Sequence, residues 1–109
     1  MHELAVTESI IEQVAAAAGE SRVVSLRLEI GKLSGVVADS IRFCFELVSD
    51  GTPLAEARLD IDELAGAGAC ATCGSTFPLE HRILLCPCGS ADVHVVSGDE
   101  LRIRSMEVI

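Results

Sequence analysis

Apolar residues at Leu4, Val6, Ile10, Ile11, Val14, Ala15 and Ala18 recur in three- and four-residue steps, the period of one helix face, and Gly19 stands where such a helix would stop. From Val23 to Ile30 the period shortens to two: Val24, Leu26, Leu28 and Ile30 alternate with Ser25, Arg27 and Glu29. That alternation predicts a half-buried strand with the first set facing inward. Gly31 to Gly35 reads as a turn, and Ala38-Asp39-Ser40 then opens a second helix with Ile41, Cys44, Phe45 and Val48 in its apolar stripe. Asp50-Gly51-Thr52-Pro53 ends that helix, and Ala57 to Leu64 alternates again through Leu59 and Ile61 as a second strand.

At Ala65 the pattern breaks into Ala-Gly-Ala-Gly-Ala, which reads as a flexible lead-in to a separate module. A cysteine-rich segment follows to about Asp92, and two more strand-like runs close the chain, Val93 to Val96 and Leu101 to Val108. In the last run Leu101, Ile103, Ser105 and Glu107 alternate with Arg102, Arg104, Met106 and Val108, and it is expected to return to the first sheet. The expected fold is α+β: a small mixed sheet flanked by two helices (1–65 and 98–109), with a zinc-ribbon-like module (66–97) inserted between its strands.

Composition narrows the function. A chain of 109 residues, half of them hydrophobic, supports a real but modest core, so a metal staple would help it fold. Eight basic against seventeen acidic residues give a net charge of −9, which repels a phosphate backbone. With no Trp or Tyr and three Phe, the stacking platforms of nucleic-acid binders are also nearly absent. Nucleic acid is therefore not an expected partner, and acidic residues such as Glu56, Asp60, Asp62 and Glu63 read as a solvated face. No apolar run reaches the roughly 20 residues of a membrane span. The start also lacks the basic and apolar regions of a secretory signal, so a cytoplasmic protein is expected.

Four of the five cysteines fall together, Cys70, Cys73, Cys86 and Cys88, and without an export signal they read as metal ligands rather than as a disulfide framework. Cys70-Ala71-Thr72-Cys73-Gly74 has the spacing that folds a chain back around one ion, with Gly permitting the turn. Cys86-Pro87-Cys88-Gly89 carries the same punctuation but is one residue shorter, which leaves His81 or His94 as substitutes for one thiolate. Four thiolates saturate tetrahedral zinc and leave no open position, so the site is expected to be structural; iron in a rubredoxin-like centre is the chemical alternative.

The Met1-His2-Glu3 start would in most proteins be a disordered end. Here it also permits chelation. A His at position 2 is too bulky for routine removal of the initiator Met. The Met1 amine, the His2 backbone nitrogen and its Nδ1 close adjacent five- and six-membered rings on one ion. The Glu3 backbone nitrogen or carboxylate would complete the set. Planar nitrogen donors suit Ni(II) or Cu(II), and their need to lose protons makes affinity rise with pH.

These features converge on one resemblance. Met1-His2-Glu3, Leu28-Glu29-Ile30-Gly31, Phe43-Cys44-Phe45-Glu46-Leu47-Val48, the two Cys pairs and the closing Glu100-Leu101-Arg102-Ile103-Arg104-Ser105-Met106-Glu107 together resemble the HypA/HybF family of nickel-hydrogenase maturation proteins over nearly the whole length. The resemblance implies a metallochaperone that delivers nickel to the hydrogenase large subunit with the GTPase HypB, as a monomer or homodimer. It implies nickel at His2 and Glu3 with Met1, and structural zinc at Cys70, Cys73, Cys86 and Cys88. The one departure is the missing residue between Cys86 and Cys88.

Cys44, in the apolar stripe of the second helix, reads as a small buried hydrophobe, and His81 and His94 read first as surface or structural residues. No Ser/His/Asp or Cys/His nucleophile pattern is visible, and Gly31-Lys32-Leu33-Ser34-Gly35 lacks the register of a phosphate-binding loop, so no enzymatic activity is expected. A zinc-ribbon adaptor that never handles nickel is the second reading, and a rubredoxin-like electron carrier the third.

Overall fold

The computed structural model describes residues 2–109, so Met1 and its expected place in the nickel site lie outside the described residues. The elements run α1 (Glu3–Ala18), β1 (Val23–Gly31), α2 (Ala38–Val48), β2 (Arg58–Leu64), β3 (Gly66–Cys70), β4 (Thr76–Leu79), β5 (Val93–Ser97) and β6 (Leu101–Val108). They form two three-stranded sheets, β2-β1-β6 and β4-β3-β5. The α+β expectation therefore holds, and the first sheet is mixed: β1 runs parallel to β2, with α2 as the crossover, and antiparallel to β6.

The helical period buries Ile11 and Val14 of α1 and Ile41 and Phe45 of α2 against Leu26, Leu28 and Ile30 of β1, with Leu54 closing the core. Both helices stop where local chemistry ends them. Gly19 turns the chain at φ +63 while its N–H bonds the Ala15 carbonyl, and the Ser49 N–H bonds the Phe45 carbonyl.

Two bulges alter the predicted strand faces. β1 and β6 shift register between Val23 and Ser25, so Val23 points inward and Val24 is 40% exposed, the reverse of the simple alternation. A second shift pairs Arg27 with Ser105 but Leu28 with Ile103, skipping Arg104. Beyond that point the inward positions of β6 change parity, and Met106 packs on the core beside Ile103 although the two fall in opposite sets of the simple alternation. Because β1 is the central strand, its polar side is covered too. Glu29 is only 8% exposed, beneath the guanidinium groups of Arg102 and Arg104.

The Ala-Gly-Ala-Gly-Ala segment is not a flexible lead-in. Gly66–Cys70 is β3, the central strand of the second sheet, paired with β4 on one side and β5 on the other. Its glycines answer to close packing: a Cβ on Gly66 would sit 2.3 Å from the Leu79 carbonyl oxygen, and one on Gly68 would sit 2.9 Å from a Leu79 methyl. Gly98, where the chain leaves the second sheet, lies against Gly66 at φ +102, so the two crossings between the sheets touch backbone to backbone. Arg82 ties the second sheet to the same junction, donating to the Leu33 carbonyl at 2.9 Å and pairing with Asp99.

Candidate metal centres

The two cysteine segments fold as near-copies of each other. In the first, the Cys70 N–H bonds the Ser75 carbonyl and the Gly74 N–H returns to the Cys70 carbonyl, both at 2.9 Å. In the second, the Cys86 N–H bonds the Ser90 carbonyl at 2.9 Å and the Gly89 N–H returns to the Cys86 carbonyl at 2.8 Å. Gly74 and Gly89 both take left-handed backbone, φ +76 and +94, which any larger residue would resist. The turns are joined by a 2.8 Å hydrogen bond between the Thr72 and Ser90 hydroxyls.

These turns bring all four sulfurs within 4.8 Å of one another. Cys70 and Cys88 Sγ are 3.8 Å apart, and Cys73 and Cys86 Sγ 3.6 Å. A tetrahedron with metal–sulfur bonds of about 2.3 Å has sulfur–sulfur edges of about 3.8 Å, so the residues fit a single tetrahedral ion. The shorter second pair does not spoil the arrangement. With Pro87 unable to donate, the Cys88 N–H supplies the amide bond to Cys86 Sγ at 3.4 Å, as the Cys73 N–H does for Cys70 Sγ at 3.5 Å. His81 and His94 are exposed and stand outside the cluster.

The thiols are primed unequally. The Ser75 hydroxyl, 2.7 Å from Cys73 Sγ, leads the groups that hold the Cys73 thiol down at about 6, and the Cys73 amide likewise lowers Cys70. At Cys86 the Cys88 amide pulls downward, but burial and the three neighbouring thiols win and push it up to about 12. Four crowded sulfurs cannot all ionise without a cation. A divalent ion removes that conflict and deprotonates the full set.

His2 and Glu3 lie elsewhere in the fold, at the start of α1, in an open cleft of roughly 510 Å³ shared with Leu4, Asp39, Ser40, Phe43 and Cys44. His2 is the N-cap of α1 and Glu3 its first helical residue, so their backbone N–H groups have no carbonyl acceptor within the helix. Glu3 is fixed from two sides: its carbonyl accepts from the buried Thr7 hydroxyl at 2.7 Å, and its carboxylate Oε2 accepts from the Val37 N–H at 3.2 Å. The Val37 amide, and then Glu3's own, hold that carboxyl below its ordinary range.

Cys44 corrects its expectation, because it is half-buried and lines the same cleft rather than joining the core. Sequence reasoning also missed Phe43, 64% exposed on the cleft wall, and the Val37 amide. Phe43 could have been found from its place off the helical stripe, whereas nothing local pairs residue 37 with residue 3. Among the described residues, no helix is long and apolar enough to cross a membrane.

Comparison with known proteins gives the same family from three directions. The profile of the family described as "Hydrogenase/urease nickel incorporation, metallochaperone, hypA" matches residues 1–108. A hydrogenase maturation factor HypA of Geobacter metallireducens is 47% identical, over 99% of both chains. One from Rhizobium leguminosarum bv. viciae is 48% identical over the whole of both. The solution structure of the nickel metallochaperone HypA from Helicobacter pylori superposes with a TM-score of 0.68 at 24% identity, covering 100% of this chain and 98% of the other. Another HypA solution structure gives the same TM-score at 26% identity, covering 100% and 97%. The chain belongs to the HypA family of hydrogenase and urease nickel-incorporation metallochaperones.

Proposed function

We propose that this protein binds Ni(II) through Met1, His2 and Glu3 and releases it to the hydrogenase large subunit, acting with the GTPase HypB, while Zn(II) at Cys70, Cys73, Cys86 and Cys88 holds the second sheet together. In this reading residues 1–65 and 98–109 are the nickel-handling part and 66–97 the zinc part, and the protein works in the cytoplasm with no catalytic step of its own. Hydrogenase is the preferred client, with urease the second.

The observation that carries the nickel half is the position of His2 and Glu3 on α1. Nickel held by amide nitrogens must displace their protons, which in mid-helix would break hydrogen bonds. At the N-cap and first helical position no helical bond is lost. The positive end of the helix dipole also favours the anionic amide nitrogens that result. For the zinc half, sulfur–sulfur distances of 3.6 and 3.8 Å suit a closed four-thiolate site.

Equilibrium nickel binding to the native protein, to His2→Ala and to a form with one extra residue before Met1 tests this reading. Both changes should abolish tight nickel binding and leave zinc at one per chain. Equal nickel binding by all three forms would misplace the site and favour a zinc-ribbon adaptor.

A further inference from the structure

Glu3 stands next to His2, and its carboxylate is an obvious candidate for a nickel donor. The structure gives that carboxylate other work. Helix α2 begins without a local cap: its N-cap is Val37, which has no side-chain oxygen, and no side-chain bond caps that end. In a capping box, a Glu or Gln three residues into the helix reaches back to bond the N-cap N–H. In α2 that position is Ser40, too short for the task. Glu3 supplies the missing carboxylate from another helix, 34 residues away in sequence, by accepting from the Val37 N–H at 3.2 Å.

We infer that the Glu3 carboxylate is a strap and not a nickel ligand: bonded to the Val37 N–H, it caps α2 and pins the His2-Glu3 segment to the start of that helix. This deepens the proposed nickel site and rests on it. Two further hydrogen bonds support the assignment. The Thr7 hydroxyl, itself buried, fixes the Glu3 carbonyl at 2.7 Å, so the residue is held at both its backbone and its side chain. The Val6 N–H bonds the His2 carbonyl at 3.0 Å, which makes the residue before Glu3 continuous with the helix. Leu4 and Phe43, one from each helix, line the same cleft as His2 and Glu3. A carboxylate moving to nickel would leave the Val37 N–H without its partner. A carboxylate that stays holds the donors in place before the ion arrives.

The two roles respond oppositely to three substitutions in the full-length, zinc-loaded protein. Glu3→Gln keeps an oxygen that can accept from Val37 but removes the anionic donor. Glu3→Ala removes both, and Val37→Pro removes the N–H while sparing the carboxylate. A strap predicts that Glu3→Ala and Val37→Pro each weaken nickel binding roughly tenfold, the scale of one hydrogen bond to a charged group. Glu3→Gln should then stay within about threefold of the native protein. Glu3→Gln falling with Glu3→Ala while Val37→Pro binds normally would overturn the strap and make the carboxylate a ligand.

A second measurement needs no variant. By nuclear magnetic resonance, the Val37 amide should keep its shift and its protection from exchange when nickel is added, and loss of that protection would equally overturn the strap. Neither result is confused with failure of the nickel site itself, because that failure appears in His2→Ala retaining tight nickel binding.

Discussion

The two sheets of this protein have the same number of strands and are held together by different means. In the first, β1 is sandwiched between neighbours, and Leu26, Leu28 and Ile30 are buried under two helices in a core that also takes in Ile11, Val14, Ile41, Phe45 and Leu54. The second has no helix, and its buried cluster is Cys70, Cys86 and Val93 with Phe77 packed alongside. Ile83, Leu84 and Leu85, the apolar run just before Cys86, are on the outside and add nothing to that cluster. One sheet is stabilised by removing apolar surface from water. The other has little such surface to remove and gathers four sulfurs instead.

That contrast sets the largest expected effect. A structural zinc contributes apparent binding energies of about 10–16 kcal/mol in small peptides, more than the few apolar contacts of the second sheet can replace. Removing the metal with a strong chelator, or substituting Cys73→Ser, should therefore unfold residues 66–97 while α1, α2 and the first sheet persist. Limited proteolysis should cut first between Cys73 and Cys86, and far-ultraviolet circular dichroism should keep its helical signal. A single cooperative loss of both sheets would show that the core of the first is not self-sufficient. Unchanged proteolysis after zinc loss would show that the second sheet does not need its metal.

The converse change acts on the first sheet alone. Leu26 is fully buried, and Leu26→Ala should cost about 2–5 kcal/mol through lost transfer energy and the cavity left behind. Chemical denaturation followed by helical signal should shift by that amount. Zinc content should stay at one per chain, and loss of zinc in step with the helices would mean that the two regions fold as one.

What could be read from the chain follows the same division. α1, β1, α2 and β2 were legible because apolar periodicity is the imprint of a core, and the first sheet has one. The bulges at Val24 and Arg104 were not, because a strand's inward parity is set by its partner's register and not by its own residues. The four cysteines could be grouped from spacing, and the fold brings their sulfurs together. The Gly89 turn and the Cys88 amide, which bring both sulfurs of the shorter Cys86-Pro87-Cys88 pair into the cluster, are not displayed by spacing. β3 was misread as a linker because its alternating Ala and Gly look like chain freedom. Nothing local reveals that the small residues face a neighbouring backbone. The bond from the Val37 amide to Glu3 is long-range in the same sense.

That misreading yields the smallest of the expected effects and the one that bears on the junction between the sheets. If the Ala/Gly segment were a flexible hinge, Gly66→Ala would only stiffen it, and a slightly more stable protein would result. In β3 the added methyl meets the Leu79 carbonyl oxygen at 2.3 Å and the Leu33 side chain at 2.7 Å, contacts in which at least the carbonyl has no rotamer to escape into. Overpacking of this kind costs about 1–3 kcal/mol. The loss should fall on both sides of the junction, because Leu33 belongs to the turn after β1 while Leu79 ends β4. Hydrogen exchange should therefore quicken at the Leu33 N–H, which bonds the Gly98 carbonyl at 2.8 Å, as well as along β3 and β4. Stability equal to or above that of the native protein, with exchange unchanged at Leu33, would restore the hinge and separate the two sheets again.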